Sequence, residues 1–379
     1  VTSPFSAAHV FVCPSLDGPL TGGTLYNREL LGALATCGVA ARALTIDEAM
    51  PALRDAPVSR ANRLARLWVD TLYLEHVPLL RHESAGKVAS LGLVVHYLPS
   101  LVALGRAPTL EELSTSERGA LDSCTCFLST STFMQKVLMG AGIPAARIVA
   151  IAPGVDWFGE PCASLAGADT SVAAASRDER PHRRRPLFAL MIANLLPGKG
   201  VAPFIRALDR ALELDASRGL AADGDLCLSI AGSVALDEGY ARECRHAVSS
   251  SPRARSCVRL EGPLSRQALF EKLSSADVLV SASRMESFGL ALAEARGLGV
   301  PILARAAGNA PSLVEPASGG ELFTDDAPLA RALVRLAHDP DELRARTTLA
   351  KRHRLRRSWR DAAVELVAAV EGLRRAEES

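Results

Sequence analysis

Two glutamates frame the chemistry open to this sequence. Glu286 and Glu294 stand eight positions apart in Met285-Glu286-Ser287-Phe288-Gly289-Leu290-Ala291-Leu292-Ala293-Glu294. Val278 to Ser281 reads as a strand, Glu286 falls in the loop after it, and a helix opens near Phe288 to Leu290. The first amides of a helix lack internal partners and sit at its positive dipole end, so they can hold a phosphate. Two carboxylates bracketing such a site can accept hydrogen bonds from sugar hydroxyls. The combination suits a glycosylated diphosphate. Helix-dipole preference alone explains either glutamate, but not Gly289, a poor helix former placed where a ligand needs close approach. A further candidate is Lys199 in Ala193-Asn194-Leu195-Leu196-Pro197-Gly198-Lys199-Gly200, a stretch that follows a strand and opens a helix. Lysine there is a compact cation suited to a pyrophosphate.

Such residues need a scaffold that brings loops together. Short apolar runs alternate with amphipathic ones from the start: strands at His9 to Pro14, Val39 to Thr45, Leu91 to Val95, Phe127 to Ser129 and Ile148 to Ile151, and helices at Gly23 to Cys37 and Thr132 to Gly140. This rhythm predicts a parallel sheet covered on both faces. Residues from about Ala163 to Pro186 are rich in Ala, Ser, Asp and Arg and read as a linker or exposed loop. The rhythm then restarts, with strands at Leu187 to Ala193, Leu226 to Ala231, Val258 to Leu260, Val278 to Ser281 and Pro301 to Ala304. Helices are expected near Ala202 to Leu214, Gly239 to Val248, Arg266 to Ser274 and Leu290 to Leu298. A second doubly wound domain follows. Open parallel sheets bind ligands at the carboxyl ends of their strands, which is where Lys199 and Glu286 fall. The expected organisation is a first domain over 1–156, a linker over 157–186, a second domain over 187–355 and a terminal helix over 356–379.

Composition narrows the function classes. A chain of 379 residues with 48% hydrophobic content suits two domains with sizeable cores. A formal net charge of +1 removes the broad basic footprint of a nucleic-acid binder. The eight cysteines are scattered and read mostly as small apolar fillers in a reducing compartment. No run approaches the roughly 18 uninterrupted apolar residues of a membrane span, and no export signal is readable, so a cytoplasmic protein is expected. Arg54, Arg60, Arg63 and Arg66 lie between apolar residues in the stretch from Arg54 to Trp68. A solvated helix face is the favoured reading there, ahead of a membrane-surface helix touching the inner membrane face. Asp223-Gly224-Asp225 has a metal-binding spacing but precedes a strand, and reads as a turn. No metal cluster and no nucleophile constellation appears.

The run from Glu286 to Ala295, with Gly299-Val300-Pro301-Ile302 after it, resembles the donor-site signature of glycosyltransferase family 4. The resemblance implies a GT-B fold: α/β, with two Rossmann-like doubly wound domains, a cleft between them and a C-terminal crossover helix at Ser358-Trp359. It implies that Glu286 contacts the transferred sugar and Glu294 the ribose, and that Ser287, Phe288, Gly289 and Leu290 line the diphosphate. Lys199 is similar to the family's diphosphate lysine, but Asn194 and Gly198 stand where the family places an Arg, leaving Arg284 and Arg305 as candidates for the second cation. Gly22-Gly23-Thr24 resembles the family's Gly-Gly loop against the diphosphate, and His96 its active-site histidine, with Glu286, Lys199 and His96 as the catalytic set. Gly232-Ser233 resembles its strand-end turn, Gly262-Pro263 the segment beside the nucleobase, and Ala307-Gly308-Asn309-Ala310 its small-residue loop. Ser129-Thr130-Ser131 and Pro153-Gly154-Val155-Asp156 resemble the last strand turn of the first domain and the start of the connection. The resemblance is strongest from Leu187 to Glu315 and faint between Asp47 and Gly92.

The activity thus implied is retaining transfer from a nucleotide diphosphate sugar, with uridine the expected base. The acceptor is a glycan, lipid or small molecule, and neither metal nor other cofactor is required. The alternatives are a sugar-nucleotide epimerase or phosphorylase on the same architecture, and a non-enzymatic nucleotide-sugar binder.

Overall fold

The structure is a computed structural model that describes residue 5 and residues 7–18, 21–58, 65–157, 185–217 and 224–378. The chain divides into two compact units, one of Val1–Gly154 with Arg357–Ser379, the other of Val155–Arg356.

The first unit holds a parallel sheet of β1 (His9–Val12), β2 (Ala41–Leu44), β3 (Arg66–Asp70), β4 (Ser90–Val95), β5 (Cys126–Ser129) and β6 (Ile148–Ala150), in the order β2-β1-β3-β4-β5-β6. Its central strands are buried throughout, as a sheet covered on both faces requires. Register places Trp68 beside Gly92. A Cβ on Gly92 would lie 2.5 Å from the Trp68 ring, so glycine there makes room for the indole. The terminal helix Trp359–Glu378 returns to this unit. It buries Trp359, Ala362, Ala363 and Leu366 with Tyr26, Leu30 and Leu34 of the helix Gly22–Thr36. Arg357 anchors the return, donating to Ala152 O at 3.0 Å and gripping both oxygens of Glu365.

The second unit repeats the plan. Strands β7 (Leu187–Ile192), β8 (Leu226–Ala231), β9 (Val258–Gly262), β10 (Val278–Ser281), β11 (Ile302–Arg305) and β12 (Glu321–Phe323) run parallel in the order β12-β11-β10-β7-β8-β9. The fold class is therefore the α/β architecture of two doubly wound parallel sheets that the alternation predicts. In each sheet the strand order reverses beside the first strand, between β1 and β3 and between β7 and β10. The loops that diverge there leave a crevice at the carboxyl ends of the strands.

Two expectations need correction or restriction. The stretch from Arg54 to Trp68 is not one helix face: Arg54 ends the helix Ile46–Asp55, while Arg66 opens β3. Pairing with β1 and β4 buries Arg66 to 4% exposure, where it donates to Cys126 Sγ at 3.2 Å and faces the Trp68 ring. Arg60 and Arg63 lie outside the described residues, as do Asp223 and most of the expected linker. At its margins Trp157 is fully buried and Arg185 pairs with Asp277. Gly224 does sit in a turn, at a φ of 106°. Burial raises the thiols of Cys13 to about 12 and of Cys244 and Cys257 to about 11, which keeps them protonated fillers. No described helix is long and apolar enough to cross a membrane.

His9 is 4% exposed, and its Nδ1 accepts from the Trp68 indole at 3.1 Å. Burial, reinforced by the Arg66 charge, lowers its pKa from 6.5 to about 4. A histidine held neutral in the fold gives stability that is complete above pH 6.5 and lost as pH falls towards 4, a total on the order of 3 kcal/mol. Substituting His9→Gln keeps an acceptor for the indole and removes the titration. Thermal melts from pH 7 to 4 are expected to show a shallower loss of Tm in this variant than in the wild type.

Candidate functional site

The richest set of side chains gathers at the switch point of the second sheet. After β7 the chain turns at Asn194, whose Oδ1 accepts from the Ser233 amide at 2.9 Å while Leu195 N donates to Ser233 O at 2.9 Å. These bonds tie the end of β7 to the end of β8 and commit the Asn194 carbonyl oxygen. Gly232 permits the contact, because a Cβ there would lie 2.0 Å from Ala193 O. The 3-10 turn Pro197–Lys199 then closes on Gly200, which has a φ of 66°. A Cβ on Gly200 would meet Ala282 O at 2.3 Å, and the Arg284 amide donates to Gly198 O at 2.8 Å. The loop after β7 is thus pressed against the loop after β10. The outcome is a contact of 2.8 Å between Lys199 Nζ and Glu286 Oε1.

The Glu286 loop is braced from its other side by the small-residue loop after β11. Gly308 sits at a φ of 58°, and a Cβ there would lie 2.2 Å from Glu286 O. Asn309 N donates to Glu286 O and Asn309 Nδ2 to Phe288 O, each at 2.7 Å. Gly289 caps the helix Leu290–Leu298 at a φ of 89°. Its buried position packs against Leu292 and Leu313, and the backbone conformation itself favours glycine there. The amides of Leu290, Ala291 and Leu292 form the first turn and have no partners within the helix. Ser287 lies in the loop beside them.

The two glutamates hold different cations. Glu294, with its side chain 4% exposed, pairs with Arg266 Nη1 at 2.5 Å, and the Arg266 guanidinium lies 3.5 Å from the centre of the Trp157 ring. Gly262 turns at a φ of 74°, its carbonyl accepting from Gly232 N at 2.9 Å, and Pro263 after it is exposed. Of the two candidates for a second cation, Arg305 is engaged with Asp326 at 3.0 Å. Arg284 is exposed, and its backbone lies against the Lys199 turn.

The first unit builds a separate polar cluster at its own switch point. Gly22 and Gly23 open a helix capped by Thr21, whose side chain accepts from Thr24 N at 3.2 Å. Gly23 lies against the His96 ring, where a Cβ would be 3.0 Å from Cδ2, whereas the same atom on Gly22 would meet nothing. His96, at the end of β4, is 8% exposed. Its Nε2 lies 3.2 Å from Asp70 Oδ2 and 3.1 Å from Asn27 Oδ1, and Asn27 Nδ2 donates to Asp70 Oδ2 at 2.7 Å. Two acceptors facing Nε2 place the proton on that nitrogen. Burial alone raises the Asp70 pKa, but the His96 charge and the hydrogen bonds from His96, the Leu72 amide and Asn27 outweigh it and leave it below the usual value. Buried Glu117 steadies the following loop, accepting from the Ser100 and Ser114 amides at 2.9 and 2.7 Å.

The structure therefore brings Lys199 to Glu286, in the loop that precedes the helix Leu290–Leu298, and His96 to Gly23. The sequence reading assigns no site role to Asp70, Asn27, Arg266 or Trp157. Asp70 ends β3, the strand that the local pattern concealed, and the Arg266–Glu294 pair spans 28 positions without a local signal.

Two such sheets, with polar loops at their carboxyl ends, define the GT-B class of fold. Residues 173–354 match the family model described as glycosyl transferases group 1. A segment of 124 residues is 36% identical to the D-inositol 3-phosphate glycosyltransferase of Streptomyces coelicolor. It covers 31% of this chain and 27% of that protein, so the match spans about a quarter of the length of this curated relative. Among solved structures, Anabaena HepE in complex with UDP and glucose aligns over 96% of this chain and 99% of its own, with a TM-score of 0.67 and 14% identity. The sucrose-phosphate synthase of Thermosynechococcus elongatus aligns over 97% and 99%, with a TM-score of 0.69 and 17% identity.

The backbone approach at Gly308 yields a direct test. The change Gly308→Ala is expected to cost about 1–3 kcal/mol, since a positive φ and a carbonyl contact are both violated. The change Gly198→Ala, where a Cβ meets nothing within 4 Å, is expected to leave the urea midpoint unchanged. Equal midpoints for the two variants would refute the bracing role of the loop after β11.

Proposed function

We propose that this protein is a retaining glycosyltransferase that moves a sugar from a nucleotide diphosphate sugar to a glycan, lipid or small-molecule acceptor. The observation that carries this reading is the 2.8 Å contact of Lys199 with Glu286 beside the first turn of the helix Leu290–Leu298. One cation and one carboxylate meet at the strand ends where open sheets bind ligands, and the first amides of the following helix are proposed to complete the site. A diphosphate is a stronger partner for Lys199 than a single carboxylate. Its arrival would release Glu286 to accept from hydroxyls of the transferred sugar. As the glycosidic C–O bond breaks, charge grows on the diphosphate, and Lys199 and the helix amides stabilise it where it develops. Arg284, whose backbone lies against the Lys199 turn, is proposed as the second cation. Stabilisation of this kind needs no metal, so turnover is expected to persist in chelator.

Uridine is the proposed base, supported by the likeness to the HepE structure solved with UDP and glucose. In the first unit, His96 presents an imidazole whose Nε2 proton is held by Asp70 and Asn27, and it is proposed to take part in recognising the acceptor. A second reading, a nucleotide-sugar binder without transfer, draws on Asn194, whose side chain is tied to the Ser233 amide where the related signature has a cation.

Release of UDP from UDP-sugars, with and without added acceptors, separates the two. Turnover is expected in the wild type and a loss of about 100-fold or more for Lys199→Ala. The same variant is expected to lose less than about 1 kcal/mol of stability, because the pair is partly exposed. Unchanged transfer by Lys199→Ala would sink the phosphate assignment. A related outcome concerns Asp70→Asn, which removes the carboxylate facing His96 Nε2. It is expected to lower kcat/KM for the acceptor, leaving donor binding measured by calorimetry near the wild-type value.

A further inference from the structure

We infer that Arg266, clamped by Trp157, is a positioning residue that sets how strongly the protein selects for the ribose of its nucleotide, acting through Glu294. The inference rests on the proposed nucleotide-sugar reading, in which Glu294 receives the ribose hydroxyls.

A carboxylate as buried as Glu294 stays ionised only beside a fixed positive charge. Arg266 supplies it from the first residue of the helix Arg266–Ser275, whose start is set by Ser265 accepting from Ala268 N at 3.2 Å. The guanidinium is itself held. One face lies 3.5 Å from the centre of the Trp157 ring, and Phe270, one helical turn on, packs its ring 5.3 Å from the same indole. Trp157 is fully buried, so the clamp has a rigid floor. Arginine fits this place better than lysine, because a planar group can stack by its face while donating from its edge. Arg266 reaches Glu294 through Oε1, and a carboxylate has lone pairs for hydroxyl donors beside such a bond. Arg266 thus fixes where Glu294 points and keeps it an acceptor, without touching the nucleotide.

The test compares UDP with 2′,3′-dideoxy-UDP by calorimetry. The wild type is expected to bind UDP at least about 10-fold more tightly than the dideoxy form, as befits a site built to pair with hydroxyls. Glu294→Gln should narrow that gap. Arg266→Met should narrow it to the same extent, with dideoxy-UDP affinity held within about twofold, and Arg266→Lys should recover part of it. The double variant with Glu294→Gln should narrow the gap no further. Arg266→Met weakening both ligands equally would show a purely structural role and overturn the inference. Tighter UDP binding by that variant would overturn it too, by making Arg266 a plug. A wild type that binds neither probe would overturn the uridine donor reading itself, and a wild-type gap that survives in Arg266→Met would overturn only the role of Arg266.

Discussion

The contact between Lys199 and Glu286 joins residues 87 positions apart, and the second unit is arranged around what it requires. The two loops carrying them leave adjacent strands, β7 and β10, on the two sides of a reversal in strand order. Only there do consecutive parallel strands send their crossovers in opposite directions and leave a gap that side chains can fill. The cation and the carboxylate satisfy one another across that gap. The pair is partly exposed and so adds little to stability. Its consequence is preorganisation, since both side chains are held in place at the strand ends.

Close backbone packing makes the contact possible. Gly200, Gly232 and Gly308 each stand where a Cβ would lie 2.0 to 2.3 Å from a carbonyl oxygen of the neighbouring loop. No rotamer change relieves a backbone overlap, so a side chain at these positions forces the backbone to shift. Loops joined this tightly move together, and the position of Glu286 inherits the rigidity of the sheet below it. Gly289 belongs to a different category, required by its φ and by the apolar packing of Leu292 and Leu313.

Buried charge follows one rule in both units. Arg66, Asp70, Glu117 and Glu294 lie nearly or wholly out of solvent, and each is held by partners from other elements, as the cost of an unpaired buried charge demands. Asp70 faces His96 and Asn27, and Glu294 faces Arg266. Neither partnership was legible in the sequence, because hydrophobic periodicity reports which face of an element is covered and says nothing of which polar group meets which. Arg66 shows the same limit in reverse. A basic residue among apolar ones reads locally as an exposed face, and parallel pairing with β1 and β4 buried it.

The sequence alone determined the alternation of elements, and with it the α/β class. It also marked the strand ends at which Lys199, Glu286 and His96 stand, because strand and helix periods and glycine punctuation are local signals carried by a few consecutive residues. Tertiary structure alone decided the order of strands in each sheet, the inclusion of β3, and the pairing of Lys199 with Glu286, Arg266 with Glu294 and His96 with Asp70. Those contacts depend on register and on close approach between loops distant in the chain. Both are set by the packing of whole sheets, which no short window of sequence encodes.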